Sequence, residues 1–327
     1  MTPSVITMGR SGVDLYPLQL GVGLEEVTSF GKFLGGSSTN VAIACARIGN
    51  DDVATITGVG DDPFGRWVRT ELRRLGVDDR FVVVSDEYLT PITFCEIFPP
   101  DHFPLYFYRR PSAPDLQIRP ADMPEAALRN ASVLWFTGTG LCQEPSWSAH
   151  QTALGYRERR PHTVFDLDWR PVFWDGTDLT RERYAWCLDR ATVAVGNREE
   201  CEVAVGESEP ERAADALLER GVEIAVVKQG PLGTLVKTRS ERYVVPPTPC
   251  TPYNGLGAGD AFGGSLADGL KRGLDLKTTI ERASAAGAIV ASRLECSTAM
   301  PTADEIDRVL AANHTDVLGE RPYTEER

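Results

Sequence analysis

Short apolar runs separated by helical stretches constrain this chain most. Ser132-Val-Leu-Trp-Phe136, Thr163-Val-Phe-Asp-Leu167, Thr192-Val-Ala-Val195 and Glu223-Ile-Ala-Val-Val227 read as short strands buried on both faces. Val53-Ala-Thr-Ile-Thr57 is also strand-like. Beyond it, Pro63 suits a first helical turn, and Phe64, Val68, Leu72 and Leu75 share one helical face that Gly76 ends. This alternation predicts an α/β fold: a doubly wound, mostly parallel sheet flanked by helices. A site is then expected beyond the carboxyl ends of the strands. With 327 residues, 42% of them hydrophobic, the chain can bury one large core. Two segments, residues 15–34 and 90–112, break the alternation. They are rich in aromatic, proline and β-branched residues and predict a small separate sheet.

The chemistry concentrates in Asn254-Gly-Leu-Gly-Ala-Gly-Asp-Ala-Phe-Gly-Gly264. Phe262, Leu266 and Leu270 recur every fourth residue, so a helix starts here with one apolar face. Glycines at a helix start expose backbone amides, and the helix dipole adds positive potential. The amides of Gly257, Ala258 and Gly259 therefore make an anion socket. Asp260 beside it is better suited to accept a proton from an attacking hydroxyl than to bind phosphate. Two other readings compete. Gly257, Gly259 and Gly263 also spell a dinucleotide-type pattern, but that needs a strand directly before it. Pro246, Pro247, Pro249 and Pro252 occupy that place instead. The other is a flexible turn before a packed helix.

A second segment, Phe30 to Gly49, reads as a strand, a Gly35-Gly36 turn and a helix that Ser38 or Thr39 can cap and Gly49 can end. Asn40 falls in its first turn. Together the two segments resemble the signature regions of the ribokinase / phosphofructokinase-B family of carbohydrate kinases, over roughly residues 4 to 305. The resemblance implies a ribokinase-like fold with a small β-sheet lid, and ATP, Mg2+ and a sugar-like substrate. It divides the chain into an α/β domain (1–14, 35–89 and 113–312), a lid (15–34 and 90–112) and a loose tail (313–327).

Site residues follow from the same resemblance. Asp260 is the general base, with Gly257, Ala258 and Gly259 as the anion hole. Asp14, Gly35, Gly36 and Asn40 meet sugar hydroxyls. Pro104 to Pro114 resembles the Tyr-Tyr-Arg strand of the 2-keto-3-deoxygluconate branch, which makes Tyr106 and Arg109 substrate contacts and Arg109 the carboxylate reader. An arginine fork suits a carboxylate, and a neutral sugar would not need one. Arg170, in Asp166-Leu-Asp-Trp-Arg170, is a second candidate, with Asp168 where that branch has asparagine. Gly9 to Pro17 and Thr93 to Pro100 resemble the branch of myo-inositol breakdown, whose substrate is a keto sugar acid taken at its terminal 6-hydroxyl. Lys228, Gly230 and Gly233 resemble the turn that meets ATP. Ala286 to Ser297 resembles the adenine-pocket wall. Asn197 and Glu200 resemble the pair that orders magnesium through its waters; a plain helix cap is the competing reading. Asn254-Gly255 stands beside the nucleotide where the family has Asp-Thr, which leaves a monovalent cation open. Beyond other sugar kinases, a catalytically silent sugar-binding regulator is the remaining alternative.

Composition excludes other classes. A net charge of -13 argues against nucleic acid and anionic membranes as partners. No apolar run reaches the ~20 residues a spanning helix needs. The start, Met1 to Gly9, has no basic-then-apolar leader pattern. Seven cysteines, an odd count without a C-x-x-C, suggest neither a disulfide framework nor a zinc site. A cytoplasmic homodimer is the expectation.

Overall fold

A computed structural model describes residues 2–49 and 52–312. The tail expected from 313 lies outside the described residues. The strands are β1 (Val5–Met8), β2 (Gly12–Pro17), β3 (Phe30–Gly35), β4 (Val53–Gly60), β5 (Val77–Asp78), β6 (Val82–Ser85), β7 (Ile92–Cys95), β8 (Leu105–Tyr108), β9 (Val133–Thr137), β10 (Thr163–Asp166), β11 (Val193–Asn197), β12 (Ile224–Lys228), β13 (Thr234–Lys237) and β14 (Arg242–Val245).

Ten of them form one sheet in the order β14-β13-β12-β11-β10-β9-β1-β4-β5, with β6 also paired to β4. The pairs from β12 through β4 to β5 and β6 are parallel, and β13 and β14 add an antiparallel edge. Every residue of β1, β4, β9 and β10 is buried, which accounts for their unbroken apolar character. Two hydrophobic cores lie in this layered architecture, one including Val41, Trp135 and Leu266, the other Phe136, Phe165 and Leu217. The central strand β1 has β4 on one side and β9 on the other, so the order reverses there. Such a switch point leaves a crevice outside the carboxyl ends of the strands.

Strands β3-β2-β7-β8 form the second sheet, of four strands. β2 runs from Gly12 to Pro17, so Asp14 lies within this sheet rather than in a loop after β1. Its backbone pairs with Phe33 on one side and Thr93 on the other. The small sheet thus carries one of the sugar-site candidates itself.

Two helices face each other across the crevice, Ser37–Gly49 and Ala258–Arg272. Their approach is close because Gly264 has no side chain. A Cβ there would sit 2.3 Å from the Ala44 Cβ and 2.8 Å from the Cys45 amide nitrogen. Gly263 likewise lets the second helix settle on Trp135. Ser38 and Thr39 do not cap the first helix: both hydroxyls donate to the Arg10 carbonyl, each at 3.1 Å, and tie the helix start to the chain leaving β1. Replacing Gly264 by Ala should push the helices apart, costing about 1–3 kcal/mol of stability. Chemical denaturation with paired turnover measurements checks this, and turnover is expected to fall with stability, since Asn40 and Asp260 ride on these helices.

Candidate active site

Gly257 begins the second helix with φ +81°, a left-handed conformation that favours glycine. A Cβ there would also meet Cys296 Sγ at 2.6 Å. The first N–H groups of a helix have no intrahelical acceptor; here the Ala258 amide reaches back to the Gly255 carbonyl at 3.4 Å, while the Gly257 and Gly259 amides have no backbone acceptor among the described residues. Asp260, in the first turn, accepts a hydrogen bond from Asn40 Nδ2 at 2.9 Å. Burial pushes the Asp260 carboxyl up to about 7, with the nearby Asp168 adding to the rise and the Asn40 bond opposing it. A carboxyl in that range can accept a proton near neutral pH and return it. The Asn40 Oδ1 is buried without a partner, an acceptor awaiting a ligand hydroxyl.

These groups share a cavity of about 180 Å³, lined among others by Arg10, Asp14, Tyr16, Asn40, Phe107, Arg170 and Asp260. It falls below the roughly 300–1,000 Å³ of drug-sized pockets and suits one sugar-sized molecule. Gly35 has no side chain because the Asp14 carboxylate lies against it: a Cβ would be 2.1 Å from Oδ1. Gly36, at φ +103°, brings its backbone onto the Arg10 carbonyl. Burial pushes Asp14 up to about 6, against the pull of Arg10 and the Tyr16 and Thr93 hydroxyls. The Tyr16 hydroxyl also sits 2.6 Å from Cys296 Sγ, joining the small sheet to the segment that follows helix Leu276–Ala291.

Arg170 lines the cavity and holds Asp168 at 3.1 Å, with Glu200 at 3.9 Å. Asp168 also accepts from the Ser37 hydroxyl at 2.5 Å and from Thr139 at 3.1 Å. Burial would raise its carboxyl, but Arg170, Arg10 and these hydroxyls hold it below the ordinary range. Its backbone sits at φ +29°, a strained value for a residue with a side chain.

Lys228, at the end of β12, is close to the glycine turn: a Cβ on Gly259 would lie 3.7 Å from its Nζ. Burial disfavours its charge, but Asp166, Glu200, Asp168 and Asp260 outweigh that and raise its pKa. Burial and the surrounding carboxylates push Asp166 above its ordinary range, despite Lys228. Gly230 (φ +57°) and Gly233 (φ +91°) flank the short turn that follows, and the Gly230 Cα faces open space. Asn197 and Glu200 form a reciprocal helix cap. The Asn197 side chain accepts from the Glu200 amide at 2.9 Å, and Glu200 Oε2 from the Asn197 amide at 2.7 Å. Glu200 Oε1 stays directed toward Arg170.

The structure separates some expected contacts from the cavity. Arg109 pairs with Asp115 at 2.8 Å, both almost fully buried, and lies over the Phe173 ring at 4.7 Å. Tyr106 is 44% exposed and donates to Glu96 at 3.0 Å. Both line a neighbouring hollow of about 1070 Å³ instead. On β8 it is Leu105 and Phe107 that line the cavity, and Tyr106, on the opposite face from Phe107, does not. Asn254 is fully buried, donates to the Leu294 carbonyl at 2.7 Å and accepts from the Leu256 amide at 3.1 Å; its side chain shapes the glycine turn. Gly255 lines the sugar-sized cavity.

Sequence reasoning overlooked Arg10, Tyr16, Thr93, Phe107 and Cys296 as cavity residues. Arg10 was findable: it stands two residues past the end of the central strand, where a switch-point site collects its side chains. Cys296 was not, since only folding brings it to Tyr16.

Residues 2–303 match the pfkB family carbohydrate kinase model, so the chain belongs to that family and is an ATP-dependent phosphotransferase. The 5-dehydro-2-deoxygluconokinase of Bacillus subtilis (strain 168) is 30% identical over 313 residues, covering 94% of this chain and 96% of that one. The protein of the same name from Geobacillus thermodenitrificans (strain NG80-2) is 33% identical over 312 residues, 93% and 92% of the two chains. A solved aminoimidazole riboside kinase from Salmonella enterica, complexed with aminoimidazole riboside and an ATP analog, superposes with TM-score 0.78 at 26% identity, covering 94% and 99%. A sugar and ATP are thus the small-molecule partners of such kinases. Among the described residues no helix is long and apolar enough to cross a membrane.

The buried Arg109–Asp115 pair gives a stability test. Arg109→Met alone leaves Asp115 buried and unmatched, and should cost about 3–5 kcal/mol. Adding Asp115→Leu should recover most of it in urea unfolding, because a buried pair is replaceable by apolar packing.

Proposed function

We propose that this chain transfers the γ-phosphoryl group of ATP to the terminal 6-hydroxyl of 5-dehydro-2-deoxy-D-gluconate, a step of myo-inositol breakdown. The observation that carries the reading is the pairing of Asp260, held by Asn40 in a sugar-sized cavity, with the open helix N-terminus at Gly257–Gly259. Relatives of that name matching nearly the whole chain support the substrate, as do the arginines at the cavity.

In this reading Asp14, Gly36 and Asn40 fix the sugar hydroxyls, and Asn40 also aims the Asp260 carboxylate. Asp260 accepts the 6-hydroxyl proton as that oxygen attacks the γ-phosphorus, and ADP leaves. The amides of Gly257, Ala258 and Gly259, with Lys228 beside them, meet the negative charge on the transferring group. One such preorganised donor contributes about 3–4 kcal/mol to lowering a barrier. The turn of Gly230 and Gly233 receives the nucleotide. Magnesium would come with ATP and would neutralise charge on its phosphates. Asp166 and Glu200, beside Lys228, are the oxygen donors that would hold it, directly or through its waters. The family cation site loses a carboxylate at Asn254, whose side chain is committed to the loop.

Residues 15–34 and 90–112 are assigned as the lid over the sugar, excluding water that would compete as acceptor. The exposed Tyr108 of that sheet suits a second role in a homodimer. The enzyme would act in the cytoplasm.

Asp260→Asn should keep substrate binding and lose most turnover; wild-type kcat in that variant would remove Asp260 as base. Because the ionised form of Asp260 is the active one, kcat/KM should rise with pH through about 7. Asn40→Ala removes the bond that opposes the upward shift, so its pH–rate limb should move higher than that of the wild type. ADP release with MgATP should be highest on 5-dehydro-2-deoxygluconate in a panel with 2-keto-3-deoxygluconate, ribose, fructose and adenosine. Preference for 2-keto-3-deoxygluconate would keep the kinase and change its pathway. ATP binding with no turnover on any would favour a sugar-binding regulator.

A further inference from the structure

Three arginines stand at or beside the cavity, and two are already matched. Arg109 is paired with Asp115, and Arg170 with Asp168. Arg10 differs. It is 8% exposed and lines the cavity, yet its guanidinium makes no hydrogen bond or ion pair among the described residues. Its Nε is buried with no acceptor. Its Cζ lies over the rings of Phe107, at 5.4 Å, and Phe173, at 5.9 Å. Those rings shield the cation from water and offer it no oxygen. Asp14 and Asp168 are near enough to favour its charge, but neither reaches bonding distance.

A buried cation without a partner is costly, and a planar fork of donors is best satisfied by a carboxylate taken two-pronged. We propose that Arg10 is the residue that reads the carboxylate of the sugar acid, the role the sequence pattern gave to Arg109. This rests on the sugar-acid reading above and assigns its selectivity to one residue. A sugar acid satisfies Arg10, whereas a neutral sugar of the same size leaves it buried and unmatched. The cavity therefore selects its substrate by rejection as well as attraction.

The test uses the full-length protein as wild type, Arg10→Gln and Arg10→Lys. Initial rates with MgATP are measured on 5-dehydro-2-deoxygluconate and on fructose. The sugar-acid KM of Arg10→Gln should rise on the order of 10- to 100-fold, the worth of a charged hydrogen bond. Its KM for ATP should hold near the wild-type value, while its weak use of fructose should improve, because a neutral sugar no longer leaves a buried cation unmatched. Arg10→Lys should recover part of the loss, since it keeps the charge without the fork. A readout free of turnover comes from thermal unfolding. The sugar acid alone should stabilise the wild type and not Arg10→Gln, while ligand-free Arg10→Gln should be at least as stable as the wild type. A wild-type sugar-acid KM in Arg10→Gln, with the wild type still preferring the acid, would overturn the assignment alone. So would a defect confined to the KM for ATP, which would place Arg10 on the phosphates. A wild type that prefers fructose would overturn the substrate reading and the Arg10 assignment together.

Discussion

The contact on which the site depends is the near-touching of two helices at Gly264 and Ala44. Helix Ser37–Gly49 carries Asn40 and helix Ala258–Arg272 carries Asp260, and their axes can approach only where one has no side chain. That approach brings Asn40 Nδ2 to 2.9 Å from the Asp260 carboxylate. The same helix start supplies the Gly257 and Gly259 amides of the glycine turn. One packing decision therefore sets the base, its orienting amide and the anion socket together, because all three are fixed to the two helix N-termini.

The electrostatics follow from burial. Asp14, Asp166, Asp168 and Arg10 are buried together, and the half-buried Asp260, Lys228 and Arg170 adjoin them. Low local polarity strengthens each attraction and makes each unmatched charge expensive. The groups divide accordingly. Asp168 gathers two hydroxyls and Arg170 and stays ionised, a fixed strut. Asp260 keeps a single side-chain donor and sits near neutrality, which is the range a proton acceptor needs.

Much of the fold was legible because its signals are local. Four apolar runs read as doubly buried strands appear as β9, β10, β11 and β12 at nearly the expected positions. The aromatic and proline-rich segments yield the second sheet. What local signals could not resolve were the faces and partners of side chains. Alternation on β8 showed that Tyr106 and Phe107 point opposite ways, but which one meets the cavity depends on how the small sheet docks. The serine and threonine after Gly36 look like caps in sequence, yet they bond to the Arg10 carbonyl, a partner 28 and 29 residues away. Asn254 looks like a ligand-binding substitution and serves to brace a loop.

By itself the sequence determined the strand–helix alternation, the glycine turn with its carboxylate, and the family those signatures mark. Each is written in neighbouring residues, where backbone freedom, helix periodicity and helix-end polarity act over a few positions. The tertiary structure decided which arginines line the cavity and which is left without an acceptor. Arg109 and Arg10 carry the same charge, and only the family resemblance singled out Arg109. Only folding places Asp115 at 2.8 Å from the first and leaves the second buried between aromatic rings with no acceptor. A charge's role is set by what it meets on burial, and those meetings are long-range contacts that no local pattern encodes.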